Sequence, residues 1–177
     1  MKTIILYGLK RSGNHFLLSL ILQQFETPVH LNNLPSLSYE EYLANKGKEI
    51  TVQRIDGKYS GFLGADCVVI SLENRKIDQD ELNRFLENEE DVHSLLILRN
   101  PYNNLSSAWK AYNKDMGRVQ PILSLWPTYC KEFLDSNSSI SKVLYDRLAT
   151  DSEYLQDIIE GIGISNPKFD DKKNIRW

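Results

Sequence analysis

The sequence predicts an α/β domain with a mostly parallel central β-sheet flanked by helices, and three observations carry that prediction. Three apolar runs, TIILY at 3–7, DCVVISLE at 66–73 and SLLILR at 94–99, read as buried strands, and ISKVLY at 140–145 as a fourth strand. Segments with apolar residues at helical spacing separate them. Such alternation builds a parallel sheet, whose ligands sit beyond the carboxyl ends of the strands.

The elements follow in order. TIILY closes at Gly8, and residues 14–25 are apolar nearly all round, as in a helix covered on most sides. Residues 26–65 are less regular, with Pro28, Asn32-Asn33 and Pro35. Within them Ser38 and Glu41 form a capping box for a short helix. EITVQRIDGKYSGF alternates around Asp56-Gly57, which predicts a hairpin. After DCVVISLE, Asp78 and Glu81 cap a helix with a Leu82, Phe85, Leu86 stripe, and Ile77 can staple onto Leu82. SLLILR ends at Asn100-Pro101, and Leu105, Ala108, Trp109 and Tyr112 fall at helical spacing. A helix is predicted from about Leu125 through Trp126, Tyr129 and Phe133, with Pro127 tolerated in its first turn. Following ISKVLY, Thr150 and Glu153 cap a last helix through Leu155, Ile158 and Ile159 that ends at Gly161 or Gly163. The tail from 166 is polar.

The 177 residues fit one domain, 1–177, with 26–65 as a subregion that could face an acceptor. With 41% hydrophobic and 25% charged residues the chain is ordinarily globular, and its net charge of −3 argues against general nucleic-acid binding. Cys67 and Cys130 make no disulfide framework and read as buried thiols. No apolar run has the roughly 18 uncharged residues of a transmembrane span. The chain enters its first strand without signal-peptide architecture, so a cytoplasmic location is expected.

The carboxyl-end rule gathers Gly8–His15, Glu73–Arg75 and Arg99–Ser107 into one neighbourhood. A glycine-rich turn entering a helix aims backbone N–H groups and the positive helix end at one spot. Lys10 and Arg11 add two charges and Ser12 a hydroxyl, which points to a phosphate or sulfate. The alternative is a plain strand-to-helix turn with two solvated basic residues. The Lys-Ser/Thr pair of a triphosphate loop, which holds the outer phosphates and magnesium, is replaced by Asn14 and His15, so no metal is expected here. Arg99 ends one strand and Ser107 lies on the next helix, where an arginine fork and a hydroxyl can meet a second phosphate. A strand-end ion pair and filler serines are the other reading.

Taken together, RSGNHFL after the first strand and LRNPYNNLSSAW later resemble the two phosphate-binding signatures of sulfotransferases that use 3′-phosphoadenosine 5′-phosphosulfate (PAPS). VLYDRLATDSEYLQDIIEGIGI is similar to that family's strand, acidic turn and helix, so the resemblance runs from residue 3 to 164. It implies a P-loop nucleotide-hydrolase-like fold and sulfuryl transfer to a hydroxyl or amine of a small-molecule or carbohydrate acceptor, with 3′-phosphoadenosine 5′-phosphate (PAP) as product. It implies that Arg11 stabilises the oxygen bridging sulfate and phosphate. Lys10, Ser12, Gly13, Asn14 and His15 would sit at the 5′-phosphosulfate, with Asn14 and His15 replacing frequent hydroxyl residues. Phe16 and Tyr145 would lie near the nucleotide, though both could equally be core. Arg99 and Ser107 would take the 3′-phosphate.

A transfer of this kind needs a general base. The resemblance places Glu73 there, with His15 as the competing candidate; His30 and His93 read as solvated. The family's C-terminal basic, glycine-containing loop is not found; KKNIRW offers Lys172, Lys173 and Arg176 without glycines. Another subunit of a homo-oligomer could supply it. Two further readings stay open: a nucleotide-binding module of this fold without turnover, and a kinase-like protein that binds a nucleoside triphosphate.

Overall fold

β1 (Lys2–Gly8) runs through the middle of the computed structural model, and from Thr3 to Gly8 it has no exposed residue. Structure is described for residues 1–32, 34, 36–48, 51–53 and 58–169, with the backbone alone at 51–53 and 58–60. α1 (Asn14–Leu22), β2 (Pro28–Leu31), α2 (Tyr39–Lys46), β3 (Thr51–Gln53) and β4 (Lys58–Ser60) come next. β5 (Cys67–Glu73), α3 (Gln79–Asn88), β6 (Val92–Leu98), α4 (Pro101–Ala111) and α5 (Met116–Leu134) follow. β7 (Ser141–Leu144), α6 (Tyr145–Leu148) and α7 (Ser152–Gly161) complete the order.

The main sheet has the order β2-β5-β1-β6-β7, and every pair is parallel. Because strand side chains alternate, β1 feeds two cores. Ile5 and Tyr7 join Val68, Ile70, Leu96 and Leu98, covered by Leu82, Phe85, Ala108, Ile122 and Tyr129 from α3, α4 and α5. Ile4 and Leu6 join Val69, Leu95, Ile97 and Val143, covered by Leu17 and Ile21 of α1 and Ile159 of α7. Each such fully buried aliphatic side chain contributes about 1.5–3 kcal/mol in transfer free energy. Both faces being dry explains the unbroken apolar character of these strands.

Register then places the chemistry. Gly8, the last residue of β1, pairs with Glu73, the last residue of β5. The loop leaving Gly8 therefore starts beside the Glu73 carboxylate.

Caps on Ser38 and Asp78 form as expected, their side chains accepting from the N–H groups of Glu41 and Glu81. The hairpin is present as β3 paired antiparallel with β4; its Asp56-Gly57 turn lies outside the described residues. Several expectations need correction. The irregular region contains β2, an edge strand of the main sheet that begins at Pro28. A proline can open an edge strand because its missing N–H costs no ladder bond there.

α5 begins at Met116, capped by Asp115, well before Leu125, and both Pro121 and Pro127 lie inside it. Both prolines are exposed, where water can satisfy the carbonyls they free, and burial of Val119, Ile122 and Tyr129 carries the helix through. β7 stops at Leu144, so Tyr145 opens α6 instead of ending a strand. α7 is capped by Asp151, not Thr150, with the Asp151 carboxylate accepting from Tyr154 N–H. Cys67 is buried, and burial, then the charge of Asp66, pushes its thiol up to about 12; Cys130 is only half-buried. Among the described residues, no helix is long and apolar enough to cross a membrane.

Candidate functional site

The loop between β1 and α1 folds as it does because two glycines leave room. A Cβ on Gly8 would lie 1.9 Å from Asn14 Oδ1. Gly13, at φ +101°, would place one 2.0 Å from the Tyr145 ring. Ser12 is fully buried; its one hydroxyl hydrogen goes to the Leu9 carbonyl at 2.5 Å, and Asn14 Oδ1 lies 3.2 Å from the same hydroxyl oxygen. Its hydroxyl is thus spent inside the loop, so Ser12 does not face a ligand as expected.

Two asparagines that the sequence did not single out hold the loop from outside. Asn74, at φ +54°, accepts from Lys10 N–H at 2.8 Å, and its own N–H donates to the Gly8 carbonyl. Asn104 of α4 is fully buried and donates to the Lys10 carbonyl at 3.1 Å. The signal for Asn104 was present: it sits one turn before Ala108, a polar residue in an apolar stripe.

A cavity of about 440 Å³ opens at these strand ends. Lys10, Arg11 and Arg99 give it three cations, and Glu73 its one carboxylate. Gly13, Asn14, His15 and Ser107 supply polar lining, while Phe16, Tyr145 and Tyr112 supply aromatic surface. Tyr112 read only as a helical core position, yet it caps α4 at the cavity wall, with Arg118 6.0 Å from its ring centroid. Every residue expected at the site except Ser12 lines this one cavity.

Within it, Arg99 Nη1 donates to the Arg11 carbonyl at 3.2 Å, and its guanidinium lies 4.7 Å from the Tyr145 ring centroid. Its Nε is buried with no hydrogen-bond partner among the described residues. Arg11, at φ +68°, makes a weak 3.4 Å contact from Nε to Ser107 Oγ. Phe16 meets Tyr145 edge-on at 6.2 Å. Asn14 Nδ2 donates to Glu73 Oε1 at 2.8 Å and to the Leu9 carbonyl at 3.2 Å. Its amide donation is therefore committed within the protein, not offered to a ligand.

Among the described residues, neither Glu73 nor the three cations enter an ion pair within 4.0 Å. The strand-end ion pairs that Glu73 and Arg99 might have made are absent there. Three cations with no ion pair among the described residues thus gather around a helix N-terminus, an arrangement whose charge favours an anion.

His30 and His93, expected to be solvated, are half-buried and each meets side-chain partners. His30, on β2, is 2.9 Å from Ser71 Oγ, and burial, then the charge of His15, lowers its pKa to about 4. His93 contacts Asp91 at 3.0 Å and Lys2 at 3.2 Å near the start of β6, away from the carboxyl ends. Among the described residues, no group of three or more His, Cys, Asp or Glu could hold a metal ion.

No protein-family model and no curated protein sequence matches the chain. Solved structures do. Mouse sulfotransferase SULT7A1 complexed with PAP superposes with a TM-score of 0.56 at 13% identity, covering 97% of this chain and 60% of that one. The present chain thus spans about 60% of that sulfotransferase's length. A sugar kinase from Janibacter superposes with a TM-score of 0.54 at 12% identity, covering 93% of this chain and 96% of that one. These likenesses show the fold, a P-loop-like α/β domain with a five-stranded parallel sheet flanked by helices.

Proposed function

We propose that the chain is a transferase that moves a sulfuryl group from PAPS to a hydroxyl or amine of a small-molecule or carbohydrate acceptor. The observation that carries this reading is one cavity that unites two cationic groups of residues with a carboxylate that makes no ion pair among the described residues. One group is the Gly8–Gly13 loop with Lys10 and Arg11; the other is Arg99 with Ser107. A ligand with a 3′-phosphate and a 5′-phosphosulfate matches two anion sites. The Nε of Arg99, buried and without a partner among the described residues, fits such a ligand, because a buried donor left unsatisfied is costly. The sulfotransferase of like fold, complexed with PAP, supports the same reading.

Arg99 and Ser107 would hold the 3′-phosphate, and Lys10, Arg11 and the N-terminus of α1 the 5′ group. Phe16 and Tyr145 offer ring surface to the adenine. Bound PAPS supplies an activated sulfuryl group. Glu73 removes the acceptor's proton at a carboxylate oxygen. Arg11 places a fixed positive charge where negative charge develops, an effect of about 3–4 kcal/mol per well-aimed donor in a water-poor site.

The Janibacter neighbour, similar in length, keeps a kinase reading in view. Against it stand Asn14 and His15, which occupy the Lys-Ser/Thr positions of a triphosphate loop. Thermal melting separates the readings, since a ligand that binds only the folded chain raises Tm. PAP should raise Tm and Mg-ATP should not, and PAPS should then be consumed in an acceptor screen. A shift with Mg-ATP alone would overturn the sulfotransferase reading. A shift with PAP but no consumption of PAPS would leave a binding module of the same fold.

A further inference from the structure

We infer that Asn14 is a positioning residue whose amide holds the Glu73 carboxylate away from the cations that share its cavity. The inference rests on the proposed use of this cavity as an anion site. Three observations carry it.

The first is the direction of the Asn14 amide. Its nitrogen is 2.8 Å from Glu73 Oε1 and 3.2 Å from the Leu9 carbonyl oxygen. Both partners are acceptors, so the NH₂ group must face them, which turns Oδ1 toward Ser12 Oγ 3.2 Å away. The residue is 5% exposed, so water competes little for these bonds. A serine or threonine here would carry one hydroxyl hydrogen and could not donate to both acceptors.

The second is the space for that amide. Gly8 pairs in register with Glu73, and a Cβ on it would lie 1.9 Å from Asn14 Oδ1 and 2.7 Å from Cγ. The missing side chain of Gly8 is the room in which the amide sits beside the carboxylate.

The third is what Glu73 does not do. It lines the cavity with Lys10, Arg11 and Arg99, yet among the described residues it makes no ion pair within 4.0 Å. A carboxylate on a flexible stem is drawn to such cations, and a paired carboxylate would both block the anion site and lose its use as a base. Hydrogen bonds to charged groups are among the stronger ones in proteins, enough to hold one rotamer. Asn14 thus keeps the cations for the ligand and Glu73 for the acceptor.

A double-mutant cycle tests this on the full chain, with binding of PAP and of inorganic pyrophosphate measured by calorimetry. Asn14→Ala should weaken both probes about tenfold, because the released carboxylate competes for the cations. In the Glu73→Gln background, where the competing charge is gone, it should weaken them less than about twofold. Equal losses in the two backgrounds would mean general loop damage and overturn the tether. Pyrophosphate bound without PAP would refute the nucleotide reading, and the cycle would then be judged on pyrophosphate. If the wild type binds neither probe, the anion-site reading fails, and the cycle is read from Tm of the ligand-free chains. There Asn14→Ala should lower Tm by about 3–6 °C alone and by clearly less in the Glu73→Ala background. Equal decreases would overturn the inference.

Discussion

Gly13→Ala strikes a crowded point of the loop between β1 and α1. Gly13 sits at φ +101°, where L side chains are strained, at a cost of about 1–3 kcal/mol. A Cβ there would also lie 2.0 Å from Tyr145 Cδ2 and 2.4 Å from Cε2, so the ring must move. That ring carries the Arg99 guanidinium at 4.7 Å and the edge of Phe16 at 6.2 Å. Displacing it forfeits about 1–2 kcal/mol in these contacts. The chain should therefore lose about 2–5 kcal/mol, which for this length lowers Tm by about 5–15 °C. Circular dichroism melts give the value directly. Gly161→Ala is the control, because nothing lies within 4 Å of its Cβ position and it is helical, so Tm should hold or rise slightly. In a Tyr145→Ala background the clash is gone and only the backbone part of the loss should remain. A fall below about 2 °C for Gly13→Ala would refute the packing argument.

Arg99→Ala should weaken PAP far more than adenosine 5′-phosphate; equal losses in titration calorimetry would remove Arg99 from a 3′-phosphate site. Glu73→Gln should stop sulfate transfer from PAPS while PAP still binds, and wild-type turnover would eliminate Glu73 as the base. His30 gives a pH dependence. Burial, then His15, lowers its pKa from 6.5 to about 4, so between these values the unfolded chain binds the extra proton. Stability from neutral His30 is complete above about 6.5 and is lost as pH falls through about 4, by at most about 3 kcal/mol. His30→Gln should flatten that part of the curve in urea melts, and parallel curves would refute the assignment.

The most legible strands are those with both faces buried. β1, β5 and β6 read as continuous apolar runs because side chains on each face meet a core. β2 escaped because it has four residues, starts with proline, and buries only Val29 fully. An edge strand this short draws its pairing from β5, a long-range partner that no local pattern announces. The start of α5 is hidden in the sequence because Pro121 and Pro127 lower local helix propensity, and the burial of Val119, Ile122 and Tyr129 that overrides it is tertiary. At the start of α7 the sequence offers two adjacent competent caps, Thr150 and Asp151, and Asp151 makes the bond although Tyr154, not Glu or Gln, stands at its third helical position.

The site was more legible than the edge of the fold, for a topological reason. Parallel strands deliver their carboxyl ends to one side, so Gly8, Glu73 and Arg99 converge whatever the loops between them do. What composition and spacing cannot give is direction. Ser12 and Asn14 both have the donors a phosphate needs, and sequence alone aims them at one. In the fold the Ser12 hydroxyl turns to Leu9, and the Asn14 amide turns to Leu9 and Glu73. Their orientation depends on the Gly8–Glu73 register, a contact across sixty-five residues of chain. The cations, by contrast, have long side chains whose charge acts at a distance and tolerates imprecise aim, while the short polar residues of the loop fix the shape of the backbone around them.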